Sequence, residues 1–174
     1  MMRRALASIA ALGALGAALS CASGVNEKRT TTILAPDQLQ FETSVSPFLE
    51  KRCGTLDCHG QIGRPLRIFS GRGLRIANDA GAYPGIGDTT PSEKSANYRA
   101  VIALEPELLS RVVAGKADAR ALLLLQKPLQ LGSAESHKGG PVLAPQGDPG
   151  ETCLTTWIYG AVDVAACTRA TSVY

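Results

Sequence analysis

Residues Arg52 to Gly60 read RCGTLDCHG, two cysteines five positions apart with a histidine directly behind the second. A segment this short keeps both thiols and the imidazole in one neighbourhood whatever fold surrounds it. Two chemistries suit such a cluster. The thiols can close on each other as a disulfide, or both can be consumed by a covalently held group whose metal the imidazole ligates. The rest of the chain is needed to weigh them.

The N-terminal stretch, MMRRALASIAALGALGAALSCASG, sets the compartment. Arg3 and Arg4 form a basic n-region, and the uncharged run from Ala5 to Leu19 is short for a membrane span, which takes about 20 apolar residues. It has the length of a signal-peptide h-region. The run ends in Ala18-Leu19-Ser20-Cys21, which resembles a bacterial lipobox, with Ala18 where Leu is usual. The expectation is a signal peptide over residues 1–20, lipidation of Cys21 and a polar, Thr-rich tether over 21–37. Ordinary secretion, with Cys21 left as a free thiol, is the alternative. Ala22 supplies no Asp retention signal, so a lipoprotein of this kind is expected at the outer membrane, facing periplasm or surface.

Export implies an oxidising compartment in which paired cysteines persist. Removing residues 1–20 leaves 154 residues, one ordinary domain, placed here at 38–174. It also removes Arg3 and Arg4, so 18 basic residues become 16 against 15 acidic ones, a formal +1. That balance gives no electrostatic claim on nucleic acid or anionic lipid, and the membrane contact expected is the N-terminal lipid.

Helical periodicity organises most of the domain. Phe41, Val45, Phe48 and Leu49 recur on one helix face, with Pro47 inside the pattern predicting a kink or a late start. Residues 60–91 hold seven of the 18 glycines and read as a long loop, with two short extended pieces in GRPLRIFSGRGLRI and four arginines, Arg64, Arg67, Arg72 and Arg75. Those arginines read as surface charge. A helix resumes near Pro91 with Ser92 as candidate N-cap and Tyr98, Val101 and Ile102 inside. Another starts at Pro106, buries Leu108, Leu109, Val112 and Val113, and ends at Gly115. DARALLLLQ makes a short segment that stops before Pro128, and residues 128–151 form the second loop. The last helix opens near Asp148-Pro149-Gly150 and buries Cys153, Leu154, Trp157, Ile158 and Ala161, with Trp157 read as core packing. The fold class is mainly α, a small domain with long loops.

The five cysteines and two histidines, His59 and His137, can be assigned in more than one way. With Cys21 lipidated, four cysteines remain, and these allow three disulfide connectivities. If a haem takes Cys53 and Cys58 as thioethers, with His59 turned under the iron, Cys153 is left to pair with Cys167. That bridge closes a loop close to 15 residues, worth about 3 kcal/mol by chain entropy. The usual attachment spacing is C-x-x-C-H; here four residues intervene, and Cys58-His59 docks normally only if Gly54, Thr55, Leu56 and Asp57 bulge outward. A Cys53–Cys58 disulfide remains open, as does zinc held by Cys53, Cys58 and His137.

FETSVSPFLEKRCGTLDCHG resembles the opening of a cytochrome c domain, an amphipathic helix leading into attachment cysteines and a trailing Gly. ALLLLQKPLQLGSAESHKGGPVLAPQGDPGETCLTTWIYGA is similar to the closing part of planctomycete-type cytochrome c domains, with their Leu-Leu-x-Lys-Pro-Leu stretch, a His near glycines and a last helix containing Trp-Ile. The resemblance covers roughly Phe41 to Ala161 and departs from pattern at the spacer. It implies one covalent haem c in a mainly helical, cytochrome c-like fold, with His59 as proximal ligand and His137 as candidate distal ligand. Met1 and Met2 are the only methionines and both lie in the signal segment, so no Met remains for the sixth position. Lys127 and Lys138 are weaker candidates for it, and a solvated loop residue is the bland reading of His137. No hydrolase constellation is present. The expected function is a lipid-anchored monohaem electron carrier of the bacterial envelope, not an enzyme, serving a redox partner protein. The alternative is a haem-free, disulfide-braced envelope lipoprotein acting as a binding or scaffold module.

Overall fold

The computed structural model describes residues 32–131, 137–144 and 146–172. All of its regular structure is helical, with no strand among the described residues. The signal segment 1–20 and Cys21 lie outside the described residues. One structural unit begins at Ile33 and contains every element below.

The first helical run starts behind Asp37, whose carboxylate accepts the Gln40 N–H at 2.7 Å. α1 (Gln38–Gln40) passes into a π-helical stretch, Phe41–Val45, and then into α2 (Ser46–Arg52). The helix does not start late at Pro47. It widens just ahead of it. Proline lacks an N–H and its ring presses on the carbonyl four residues back. The π-helical stretch shifts the hydrogen-bond register, so that the Ser46 N–H reaches the Phe41 carbonyl. Phe41, Val45, Phe48 and Leu49 are all buried, as their spacing predicts.

α3 (Pro91–Ile102) begins two positions earlier than it would with Ser92 as its cap. Thr90 is the N-cap, and Glu93 reaches back to the Thr90 N–H, a reciprocal capping box. α4 (Pro106–Val113) starts at its proline and is closed by Gly115 at φ 70°. A 3-10 turn, Ala119–Ala121, leads to α5 (Leu123–Leu129), which runs through Pro128 instead of stopping before it. The proline sits in the last turn, and Gln130 closes the helix in the left-handed region at φ 50°. α6 (Pro149–Ile158) is capped by Asp148 and ends at Tyr159, so Ala161 is exposed, not part of its buried face. α7 (Val164–Ser172) packs back on α6, to which the Cys153–Cys167 disulfide ties it.

Trp157 is completely buried in the core. Its ring centroid lies 5.1 Å from that of Phe41 and 6.4 Å from that of Tyr98, joining the first helical run, α3 and α6. The core reading of Trp157 holds. The segment ahead of α1 is fastened to the same core: Leu34 N–H donates to Ser110 Oγ at 2.9 Å, and Tyr98 O–H to the Pro36 carbonyl at 2.9 Å.

The long loop between α2 and α3 forms no strands, and α3 organises it with two buried polar side chains. Asn97 pairs with both backbone groups of Phe69, accepting its N–H at 2.6 Å and donating to its carbonyl at 2.9 Å. Glu93 is fully buried and receives Arg75 Nε at 2.8 Å and the Ile76 N–H at 2.9 Å. Arg75 also donates to the carbonyls of Gly85 and Asp88. It is therefore no surface charge, unlike the exposed Arg67 and Arg72.

Candidate functional site

Cys53 ends α2 as its C-cap, and the chain turns back on itself immediately. Cys53 and Gly54 both donate their N–H groups to the Leu49 carbonyl, at 2.8 and 3.0 Å. Cys58 and Gly60 donate to the Thr55 carbonyl, and the His59 N–H closes the turn on the Cys53 carbonyl at 2.8 Å. The outward bulge consists of Leu56 and Asp57, which are exposed, whereas Gly54 is buried. Backbone packing explains why. A Cβ on Gly54 would lie 2.7 Å from the Glu50 carbonyl oxygen, and Cβ atoms on Gly60 and Gly73 would lie 2.2 and 2.1 Å from the carbonyl oxygen of Gly54. Three glycine backbones meet there with no room for a side chain.

His59 Nδ1 is 2.8 Å from the Leu66 carbonyl oxygen. A carbonyl can only accept, so Nδ1 carries the proton and Nε2 is left with its lone pair. Burial pushes the imidazole below its ordinary range; the Leu66 carbonyl opposes this, and the nearby His137 and Arg64 reinforce it. His59 is thus neutral at neutral pH, the form that ligates metals. Arg64 braces the same turn, donating Nε to the Cys58 carbonyl at 3.0 Å.

His137 sits in a turn of its own. The Gly140 N–H donates to the His137 carbonyl at 2.9 Å, and His137 Nδ1 donates to the Gly140 carbonyl at 2.9 Å. Gly139 and Gly140 take φ values of 113° and 85°, which side-chain-bearing residues rarely adopt. A neutral ring making that bond presents Nε2 with its lone pair. The two histidine rings are neighbours, with centroids 6.0 Å apart and planes inclined by 35°. His137 is half-buried in this turn.

Behind this turn the chain is held firmly. Val142 and Leu143 donate to the Pro128 carbonyl at 3.0 and 3.1 Å. Arg52, the residue before Cys53, donates to the Val142 carbonyl and forms a buried ion pair with Asp148 at 3.0 Å. Asp148 in turn accepts the N–H groups of Ala144 at 2.8 Å and Gly150 at 2.7 Å.

Both Cys53 and Cys58 carry free thiols and are half-buried. Burial pushes the Cys53 thiol up to about 12, against the pull of Arg52 and with a contribution from Cys58. It is protonated at neutral pH and a poor attacking thiolate. Cys153 and Cys167 form the pair left over from this site. Lys127 is half-buried near the end of α5 and Lys138 is exposed.

Two imidazoles with centroids 6.0 Å apart and two free thiols are thus gathered about one turn, and these are the residues that would hold a covalently attached haem. Both rings are oriented by backbone carbonyls, the usual outer contact of ligating histidines. A three-ligand zinc site gains no such support, since no group of three His, Cys, Asp or Glu side chains among the described residues could hold a metal. Compared with known proteins, the chain matches no family model, no curated protein and no solved structure.

Proposed function

We propose that this chain is an exported, lipid-anchored monohaem c-type cytochrome-like protein that carries electrons in the bacterial envelope. The observation that carries the reading is the His59–His137 pair, two imidazoles each held through Nδ1 by a backbone carbonyl, with ring centroids 6.0 Å apart. Cys53 and Cys58 would hold the group covalently, His59 would be its proximal ligand and His137 its distal one. Haem c, when bound, supplies a one-electron iron couple.

The protein's own residues supply the surroundings. Leu66 and Gly140 hold the two rings by their Nδ1 protons, which fixes the tautomer and the direction of each Nε2. The exposed Leu56 and Asp57 take up the length of the wide spacer, while Cys58 and His59 stay in the closed turn. If His59 and His137 both ligated the iron, no position would be left for a substrate, which favours electron transfer over catalysis.

The test is the intact mass and visible spectrum of protein purified from its native host, with free thiols counted by alkylation. A covalently added haem with a reduced c-type spectrum supports the carrier, and His137→Ala should then convert the spectrum from six- to five-coordinate. A colourless protein with Cys53 and Cys58 oxidised to each other overturns it and leaves a disulfide-braced envelope lipoprotein.

A further inference from the structure

His59 and His137 are oriented in different ways. His59 bonds to Leu66, seven residues further on and part of the surrounding loop. The ring of His137 bonds only three residues on, inside its own turn. That internal bond fixes the ring relative to the turn and leaves open where the turn itself sits. Its place over the motif is set by whatever holds residues 142–144.

Among the described residues, three polar attachments hold that segment, beside the core-buried side chain of Leu143. One is the pair of bonds to the Pro128 carbonyl at the end of α5. The other two involve Arg52 and Asp148: Arg52 donates to the Val142 carbonyl, and Asp148 accepts the Ala144 N–H at 2.8 Å. The same two side chains form an ion pair at 3.0 Å, 96 residues apart in sequence, with side chains only 3% and 5% exposed. Arg52 is also the residue on which the motif hangs, since Cys53 follows it. The pair therefore joins the chain that presents His59 directly to the chain that presents His137.

We infer that Arg52 and Asp148 are positioning residues that seat the His137 turn against the Cys53–His59 motif, and so set the separation of the two imidazoles. The ligand role this implies rests on the electron-carrier reading above; the seating itself does not. Asp148→Asn is the main variant. An Asn still accepts the Gly150 N–H as N-cap of α6 but loses the charge opposite Arg52. Arg52→Lys is the milder second variant, because an ammonium keeps the charge but lacks the planar fork that spans Asp148 and Val142 together. Glu93→Gln is the control. It removes the carboxylate of the other buried ion pair, with Arg75, whose partners are in the loop before α3 and not in residues 137–144.

Two readouts apply to protein as purified from the native host. The first is amide exchange at Gly140, Val142, Leu143 and Ala144, which both Arg52 and Asp148 variants should accelerate and Glu93→Gln should not. The second depends on colour. In pigmented protein, cyanide association with the ferric form should quicken by roughly 10-fold in Asp148→Asn, the low end of the losses seen when a direct outer partner of a ligating histidine is removed, since Asp148 acts through the backbone that carries the turn. In colourless protein, the NMR contact between the His59 and His137 ring protons should be lost instead. A folded Asp148→Asn and Arg52→Lys that keep native exchange at residues 140–144, and native cyanide rates or ring contact, overturn the seating role. Equal loss in Glu93→Gln overturns it as well, since the effect would then be general loosening. Absence of haem overturns the electron-carrier reading and the ligand role, while exchange and ring contact still decide the seating.

Discussion

The indole N–H of Trp157 donates to the backbone carbonyl of Asp37 across 2.8 Å, closing a separation of 120 residues. The bond ties the start of the first helical run to the C-terminal end of α6. Trp157→Phe keeps an aromatic ring but removes the shorter of the two hydrogen bonds to that carbonyl, leaving only the Phe41 N–H at 3.2 Å, and opens a gap where the second ring stood. The expected cost is about 2 kcal/mol, read as a lower urea midpoint with an unchanged slope.

Gly60→Ala should disrupt the motif turn, because the new methyl would lie 2.2 Å from the Gly54 carbonyl oxygen, a backbone atom that cannot swing away. Forcing such a contact costs on the order of 1–3 kcal/mol. Gly85→Ala is the matched control, with nothing within 4 Å of its Cβ position. Thermal unfolding of the two variants side by side should show a clear drop for the first and almost none for the second.

Acid should weaken the fold through two buried carboxylates. Burial alone would raise Glu93, yet hydrogen bonds from Arg75, Thr90 and Ile76 outweigh it and hold the carboxyl below its ordinary 4.5. Asp148 behaves likewise, held below 3.8 by Ala144, Arg52 and Gly150 against the effect of its burial. In both cases the unfolded chain binds the proton more readily, so their contribution is fully present above those ordinary values. It drains away as pH falls towards and through the lower folded values. Urea midpoints measured from neutral pH down to pH 3 should fall, and Glu93→Gln should flatten part of that acid limb while lowering the neutral-pH midpoint.

The Cys153–Cys167 bridge spans 14 positions and joins α6 to α7. Replacing both cysteines with Ala should cost about 3 kcal/mol on the chain-entropy estimate. Mild reduction of the unaltered protein should lower its thermal midpoint in the same sense.

If the electron-carrier reading holds, His137→Met should raise the midpoint potential, since a thioether as axial ligand favours the reduced iron relative to a second imidazole. Redox titration followed in the visible spectrum measures this directly. An unchanged potential would mean that residue 137 does not ligate.

The parts of this fold that repeat locally were readable in the sequence. Phe41, Val45, Phe48 and Leu49 bury one face because helical spacing puts them on it, and Pro106 and Asp148-Pro149 open helices because each residue suits that position by its own chemistry. Thr90 was missed as a cap although Thr90-Pro91-Ser92-Glu93 carries the capping-box spacing; Ser92 sits one residue inside the proline and cannot precede the helix. Pro128 predicts a stop because it lacks an N–H, but in a last turn it displaces only one internal bond. The polar contacts that locate the site are a different matter. Arg52 meets Asp148 across 96 residues and Arg75 meets Glu93 across 18, and nothing in the local pattern of either partner announces the other. His59 and His137 were singled out by their scarcity and by resemblance, whereas the carbonyls of Leu66 and Gly140 that orient them are backbone groups that any sequence carries.

The entry of the chain into the domain has a mechanical side. Leu34 is bonded to Ser110 on α4, Pro36 to Tyr98 on α3 and Asp37 to Trp157 on α6. A tug on the chain ahead of Ile33 therefore divides among three helices before it reaches α2, where Cys53 and the turn bearing His59 begin. The domain can be moored and jostled at its N-terminal end while the spacing of its two histidines is shielded from the load.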